Sequence, residues 1–389
     1  MNKRYMFSLM AVIVLFLIAY AGVGALPGLK WLFGVIIPYA AFALFAIGFI
    51  VKILQWAKVP IPFKIPTTGG QQQSLSWIQP ARFDNPFSKG AVFVRMVLEV
   101  FTFRSLFRNT RMSTKEGRIT YQLEIFLWLG ALAFHYAFFT VLFRHLRFFT
   151  EPVPFFVQLV ENVDSFFRME LLYDIARIGV PSVYLSGLVL LAAVTYLFLR
   201  RIFVRNVKYI SLASDYFPLF LIFGIAFTGI MMRYFTKIDV TAAKELTMGL
   251  VTFRPTIPQG VAPIFYVHLF FVSILAAYFP FSKLMHLGGI FIRPTRNMTA
   301  DTRITRHVNP WNYPVEVHTY SDYEDEFREK MIEAELPVEK MPEKAAPEEA
   351  SEEGAPGESE DASAAESEKK EGYMSDLPTA EDFFNGIDY

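Results

Sequence analysis

The chain has 389 residues, 53% of them hydrophobic, with 37 Lys and Arg against 37 Asp and Glu, and no cysteine. Without cysteine there is no thiolate-ligated iron–sulfur cluster, no covalently attached c-type haem and no redox disulfide in this chain, so redox chemistry here needs a non-covalent cofactor and any cluster must come from a partner. Apolar runs of about twenty residues or more exclude an ordinary soluble domain and indicate a polytopic protein surrounded by lipid, not by nucleic acid. The zero net charge sums a basic membrane part and an acidic tail.

Residues 1–57 read as a two-helix transmembrane hairpin. Met1–Arg4 is basic and Tyr5 to Leu26 apolar, which resembles a signal peptide but is long enough to span, so it is read as a retained helix. Pro27-Gly28 turns the chain, and Trp31 to Trp56 makes the second span. Residues 58–120 are polar enough to leave the membrane and begin with a Pro- and Gly-rich stretch that favours a structured loop. Within them, Arg95, Glu99, Thr102, Ser105 and Asn109 recur every three or four residues among Phe93, Met96, Val97, Val100, Phe101 and Phe107. That spacing predicts an amphipathic helix over Val92 to Arg108, lying on the membrane surface or packed on a partner or the bundle.

Residues 121–292 supply four more spans: Tyr121 to Phe149, Ile175 to Leu199, Leu212 to Met232 and Ala262 to Ile292, with loops between them. Residues 293–336 are read as a partner-docking segment with a short helix over Ser321 to Ala334. Residues 337–389 are rich in Glu, Ala, Pro and Ser, so a disordered acidic tail is expected, ending in a docking peptide or a frayed end at Tyr373 to Tyr389. Basic residues concentrate between spans two and three, between four and five, and after six. All three segments fall on one side, which places them and both termini in the cytoplasm.

Among the apolar runs, histidine occurs only in the third and sixth spans. His135 and His145 are ten residues apart, about 15 Å along a helix and about 80° around it; His268 and His286 are eighteen apart, on one face and roughly 27 Å apart. The third span runs outward and the sixth inward, so depth pairs His145 with His268 near the outside and His135 with His286 near the cytoplasm. Bis-histidine ligation suits a low-spin haem that transfers electrons. Two stacked b haems between these helices are therefore expected, with iron ligated by His135 and His286 at the inner site and by His145 and His268 at the outer. The unequal spacings require a tilt or a kink, for which Pro280 is the candidate. Gly130, Gly288 and Gly289 are candidates for letting a flat macrocycle approach the backbone. A proton relay competes with this reading, but it calls for mid-membrane acids, and the spans have few apart from Asp215. Arg144, Arg147 and Arg233 outside, and Arg104, Arg108 and Arg293 inside, are candidate propionate partners or ordinary interfacial cations.

This histidine pattern resembles the di-haem b membrane subunit of respiratory nitrate reductase and its relatives, over spans three to six. Two further stretches, Pro62-Phe63-Lys64-Ile65-Pro66-Thr67-Thr68-Gly69-Gly70-Gln71-Gln72 and Asn309-Pro310-Trp311-Asn312-Tyr313-Pro314 with His318-Thr319-Tyr320, are similar to the DsrM family of the sulfite-reduction-associated Dsr complex. The resemblance implies an all-α membrane protein of six transmembrane helices with a four-helix di-haem b bundle from helices three to six. It implies menaquinol oxidation by the outer haem, and electron delivery to a cytoplasmic iron–sulfur partner, DsrK. DsrJ, DsrO and DsrP would be further subunits, and the DsrC trisulfide the final acceptor. Asp174 and Arg177, at the start of the fourth span and following His145, are candidate quinol partners, with structural ion-pairing at a helix end as the competing role.

Overall fold

A computed structural model of the chain describes residues 3–26, 28–61, 63–65, 67, 70–73, 75, 77–115, 117–167, 183–301 and 318–340. Contacts divide it into two units, Met1–Asn312 and Tyr313–Tyr389. In the first unit six helices are long and apolar enough to cross a membrane: Arg4–Ala25, Leu29–Ala57, Ile125–Phe148, Leu185–Phe203, Ala213–Phe235 and Pro263–Phe281. We number the helices α1 (Lys3–Ala25), α2 (Leu29–Ala57), α3 (Lys89–Thr102), α4 (Arg104–Phe107), α5 (Ile125–His145), α6 (Phe155–Asp164), α7 (Leu185–Phe203), α8 (Arg205–Ile210), α9 (Ala213–Ile230), α10 (Val240–Val251), α11 (Pro263–Tyr278) and α12 (His286–Ile292).

Spans three to six pack in chain order, α5 on α7, α7 on α9 and α9 on α11, while α1 lies on α9 and α11 and α2 on α11. The hairpin therefore flanks spans five and six, and the main apolar core forms there around Val12, Phe33, Leu221, Leu246, Tyr266 and Phe271. A smaller core joins Ala137, Leu190, Val194, Ile222 and Ala226 of spans three to five. Many outward residues, such as Phe7, Phe42 and Ile47, are exposed, as lipid-facing positions require.

Span six is broken. α11 ends at Tyr278 and gives way to 3-10 turns at Phe279–Phe281 and Lys283–Met285 before α12. Pro280 has no amide hydrogen for a continuing helix. Ser282 is extended (φ −122°, ψ 171°), and its side chain accepts from the Leu284 amide to start the next turn. Span two accommodates the break, since a Cβ on Gly48 would stand 2.7 Å from the Pro280 side chain.

Three features differ from the sequence reading. The third span starts at Ile125 and not at Tyr121, because β1 (Thr110–Lys115) pairs antiparallel with β2 (Arg118–Leu123) around Gly117 at φ 76°. The loop between spans five and six contains α10, capped by Asp239, whose side chain accepts from the Thr241 and Ala242 amides. The amphipathic segment is two helices, because Phe103 adopts the left-handed conformation (φ 51°) between α3 and α4. The polar side of α3, Arg95 and Glu99, is buried against the protein, while Phe93, Val97 and Phe101 are exposed. In the second unit α13 (Tyr320–Glu333) has a Thr319–Asp322 capping box, and the buried Glu324 carboxylate accepts from the Glu339 and Lys340 amides. The tail from 341 onward, residues 302–317 with the Asn309-to-Pro314 motif, and four positions of the Pro62-to-Gln72 motif lie outside the described residues.

Candidate cofactor site

Four imidazoles meet in two pairs between spans three and six. The His145 and His268 ring centroids are 6.3 Å apart and nearly parallel, at 15°. Those of His135 and His286 are 5.9 Å apart and nearly perpendicular, at 85°. The break in span six makes the second pair possible: His286 opens α12 and does not sit five turns down a straight helix.

Each ring has one nitrogen committed. His135 Nδ1 donates to the Ala131 carbonyl at 2.7 Å and His145 Nδ1 to that of Val141 at 2.6 Å, because helical side chains lean back over the preceding turn. His286 Nδ1 donates to the Lys283 carbonyl at 2.9 Å. His268 Nδ1 is 2.9 Å from Thr228 Oγ1, whose single proton goes to the Gly224 carbonyl at 2.7 Å. Thr228 therefore accepts from His268. A carbonyl only accepts, so the protons sit on the Nδ1 atoms and all four Nε2 lone pairs are available to a metal, the tautomer that second-sphere bonds usually set.

The separations can be tested against a ligand. Centroid separations of 5.9 and 6.3 Å are of the size two imidazoles would have with a metal held between them at about 2 Å from one nitrogen of each. Among the described residues no group of three or more His, Cys, Asp or Glu is arranged to hold a metal ion. A pair of facing imidazoles with no third ligand fits a group that carries its own equatorial donors, as a haem does. Phe103 stands edge-on to His135 at 4.8 Å and Phe148 lies 5.8 Å from His145.

The arginines are distributed unevenly. Arg144 is buried, with Nε 3.0 Å from Asp164 Oδ2, and its guanidinium lies 3.7 Å from the Tyr184 ring centroid; Arg233 lies 4.0 Å from the same centroid. Asp164 also accepts from the Ser186 amide and hydroxyl at 2.7 and 2.6 Å. Arg147 pairs with Glu161 at 2.8 Å, and Arg104 and Arg108 both pair with Asp84. Arg293, just past α12, is exposed. Asp174 and Arg177 lie outside the described residues. The three glycines pack helices instead of lining the histidine pairs: a Cβ on Gly130 would meet Tyr196, on Gly288 Ile53, and on Gly289 Trp56. Thr228 and the Tyr184–Asp164 cluster were missed from the sequence. The available signal for Thr228 was a hydroxyl in an otherwise apolar span.

A family model described as nitrate reductase gamma subunit matches residues 92–307. The chain is 47% identical over 288 residues to the Hdr-like menaquinol oxidoreductase cytochrome b-like subunit of Archaeoglobus fulgidus, covering 72% of this chain and 83% of that one. To the protein of the same description from Archaeoglobus profundus it is 40% identical over 282 residues, covering 71% and 81%.

Proposed function

This chain belongs to the nitrate reductase gamma subunit family, and on that premise we propose that it is the di-haem cytochrome b subunit of a menaquinol-oxidising complex in the cytoplasmic membrane. The observation that carries the reading is the pair of facing imidazoles at each of two depths, every Nδ1 proton already donated. Two b haems, one held by His145 with His268 and one by His135 with His286, would supply one-electron carriers near the outer and inner faces. The basic loops at the His135–His286 end support a cytoplasmic position for that end and for both termini. Menaquinol oxidation at the opposite end releases two protons outside and passes two electrons toward a cytoplasmic iron–sulfur partner, whose clusters this cysteine-free chain does not itself ligate.

Arg144 and Arg233, both held against the Tyr184 ring and with Arg144 adjacent to His145, are the proposed outer propionate partners, supported by Arg147; Arg293 serves the inner site. Asp174 and Arg177 are the proposed quinol partners. The relatives' names favour a heterodisulfide-reductase-like partner. The two loop motifs favour the DsrK-like member of that class, within a complex with DsrJ-, DsrO- and DsrP-like subunits, and the DsrC trisulfide as final acceptor.

The test is to add a menaquinol analogue to membranes holding the oxidised protein and follow b-type absorbance. The native protein is expected to be reduced by the quinol. His145→Ala is expected to lose quinol reduction while dithionite still reduces its remaining haem. Native protein that contains haem but is not reduced by quinol contradicts the proposal.

A further inference from the structure

Away from the histidine pairs, buried positive charge concentrates where α3 meets the segment after α12. Lys64 and Arg95 are only 3% and 5% exposed. Lys64 Nζ donates to Asn85 Oδ1 at 2.6 Å and to the Asp84 carbonyl at 3.4 Å, and Arg95 donates to that same carbonyl. Among the described residues neither has a carboxylate within ion-pair distance. The Asp84 carboxylate is shared by Arg104 and Arg108. Glu99 is also committed, with Arg296 at 2.6 Å and the Ser105 amide and hydroxyl on its other oxygen. In the ion pairs among the described residues, these five cations have two carboxylates between them.

The cations feel one another. Burial, and then the Arg95 charge, push the Lys64 ammonium down to about 8. Burial, and then Arg296, lower Arg95 as well. Among the described residues the buried Nε atoms of Arg104 and Arg296 have no hydrogen-bond acceptor. Charge excess and spare donors in one half-buried place are costly unless an anion joins them.

Depth indicates which anion. α3 presents Phe93, Val94, Val97 and Phe101 outward, and its end is tied to span three by Trp128 Nε1 donating to the Thr102 carbonyl at 2.7 Å and the Tyr136 hydroxyl to that of Phe101 at 3.0 Å. Such an apolar side beside Trp and Tyr belongs at the boundary between acyl chains and headgroups. The cluster, on the buried side of α3 and in the segments packed there, would then stand at headgroup level. We propose that Lys64, Arg95, Arg104, Arg108 and Arg296 form a binding site for the phosphate of an anionic phospholipid, whose acyl chains run against the apolar side of α3. Basic pockets on the cytoplasmic side of membrane helices take such headgroups.

The experiment uses the purified full chain in neutral detergent, its thermal midpoint titrated with phosphatidylglycerol, phosphatidylcholine or inorganic phosphate. Phosphatidylglycerol is expected to stabilise saturably and the other two to have little effect. Arg104→Gln is expected to raise the half-saturating phosphatidylglycerol concentration about fivefold, as one lost cation should. Lys89→Gln, an exposed cation outside the cluster, is expected to leave it unchanged. Arg108→Gln, at a half-exposed side chain, carries the same expectation and serves if Arg104→Gln does not fold. Equal stabilisation by phosphatidylcholine, full reproduction by inorganic phosphate, or a native-like titration in the folded cluster variants overturns the proposal.

Discussion

Each imidazole in the two pairs commits its Nδ1 proton to an oxygen, and only at His268 is that oxygen on a side chain open to substitution. Thr228→Val keeps the shape and removes the side-chain acceptor, leaving the ring only the Ile225 carbonyl. The His268 ring then loses part of its donor strength, so the outer b-type component is expected to shift to higher potential and to hold its cofactor roughly 10–100-fold less tightly, with the inner component unchanged. Thr228→Ser is expected to restore both, and redox titration of the two components checks this. The histidines were legible because they are rare in apolar runs and because alternating helix direction assigns each a depth. Thr228 was not legible, because a lone intramembrane threonine usually bonds to its own helix, and this one does so as well. Lys64 gives a pH prediction at the same scale. Its native value near 8 lies below the ordinary 10.5, so between those values the unfolded chain holds more protons and native stability rises with pH. Lys64→Met lacks that term. Its thermal midpoint, measured in zwitterionic detergent, is expected to exceed the native one most at pH 7 and to lose that lead as the pH passes 10.5.

At the scale of the element, the broken sixth span decides whether the inner pair exists. A straight helix would carry His286 about 27 Å beyond His268, while His135 lies only about 15 Å from His145. Pro280 and Ser282 end α11 and let α12 begin at His286. The double change Pro280→Ala with Ser282→Ala favours a continuous helix and is expected to cost the inner b-type component while sparing the outer, read by resolving the two spectrally. Pro280 was visible as a kink in the sequence. The size of the break was not, because it depends on Ser282 capping the next turn and on Gly48 admitting the proline ring. The hairpin of β1 and β2 escaped notice because Tyr121 and Leu123 extend the apolar run of the span, although Gly117 marked the turn. α10 escaped because its apolar spacing is short, and only the Asp239 cap announced it.

On the scale of the whole molecule, spans three and six hold the histidines, and the N-terminal hairpin packs on spans five and six, the latter carrying two of them. Apolar length made the six spans legible, since lipid leaves backbone groups no alternative to helix. The packing order was not legible, because any apolar face of a span can meet lipid or protein. Under the proposed function each chain would hold two cofactors, each bridging span three to span six. Its most direct test is haem content with a redox-resolved difference spectrum of purified native protein, His135→Ala and His145→Ala. The account predicts two b-type components in the native chain, loss of the inner one in His135→Ala and of the outer one in His145→Ala. Native protein without a b-type signal, or both variants retaining two components, would contradict it.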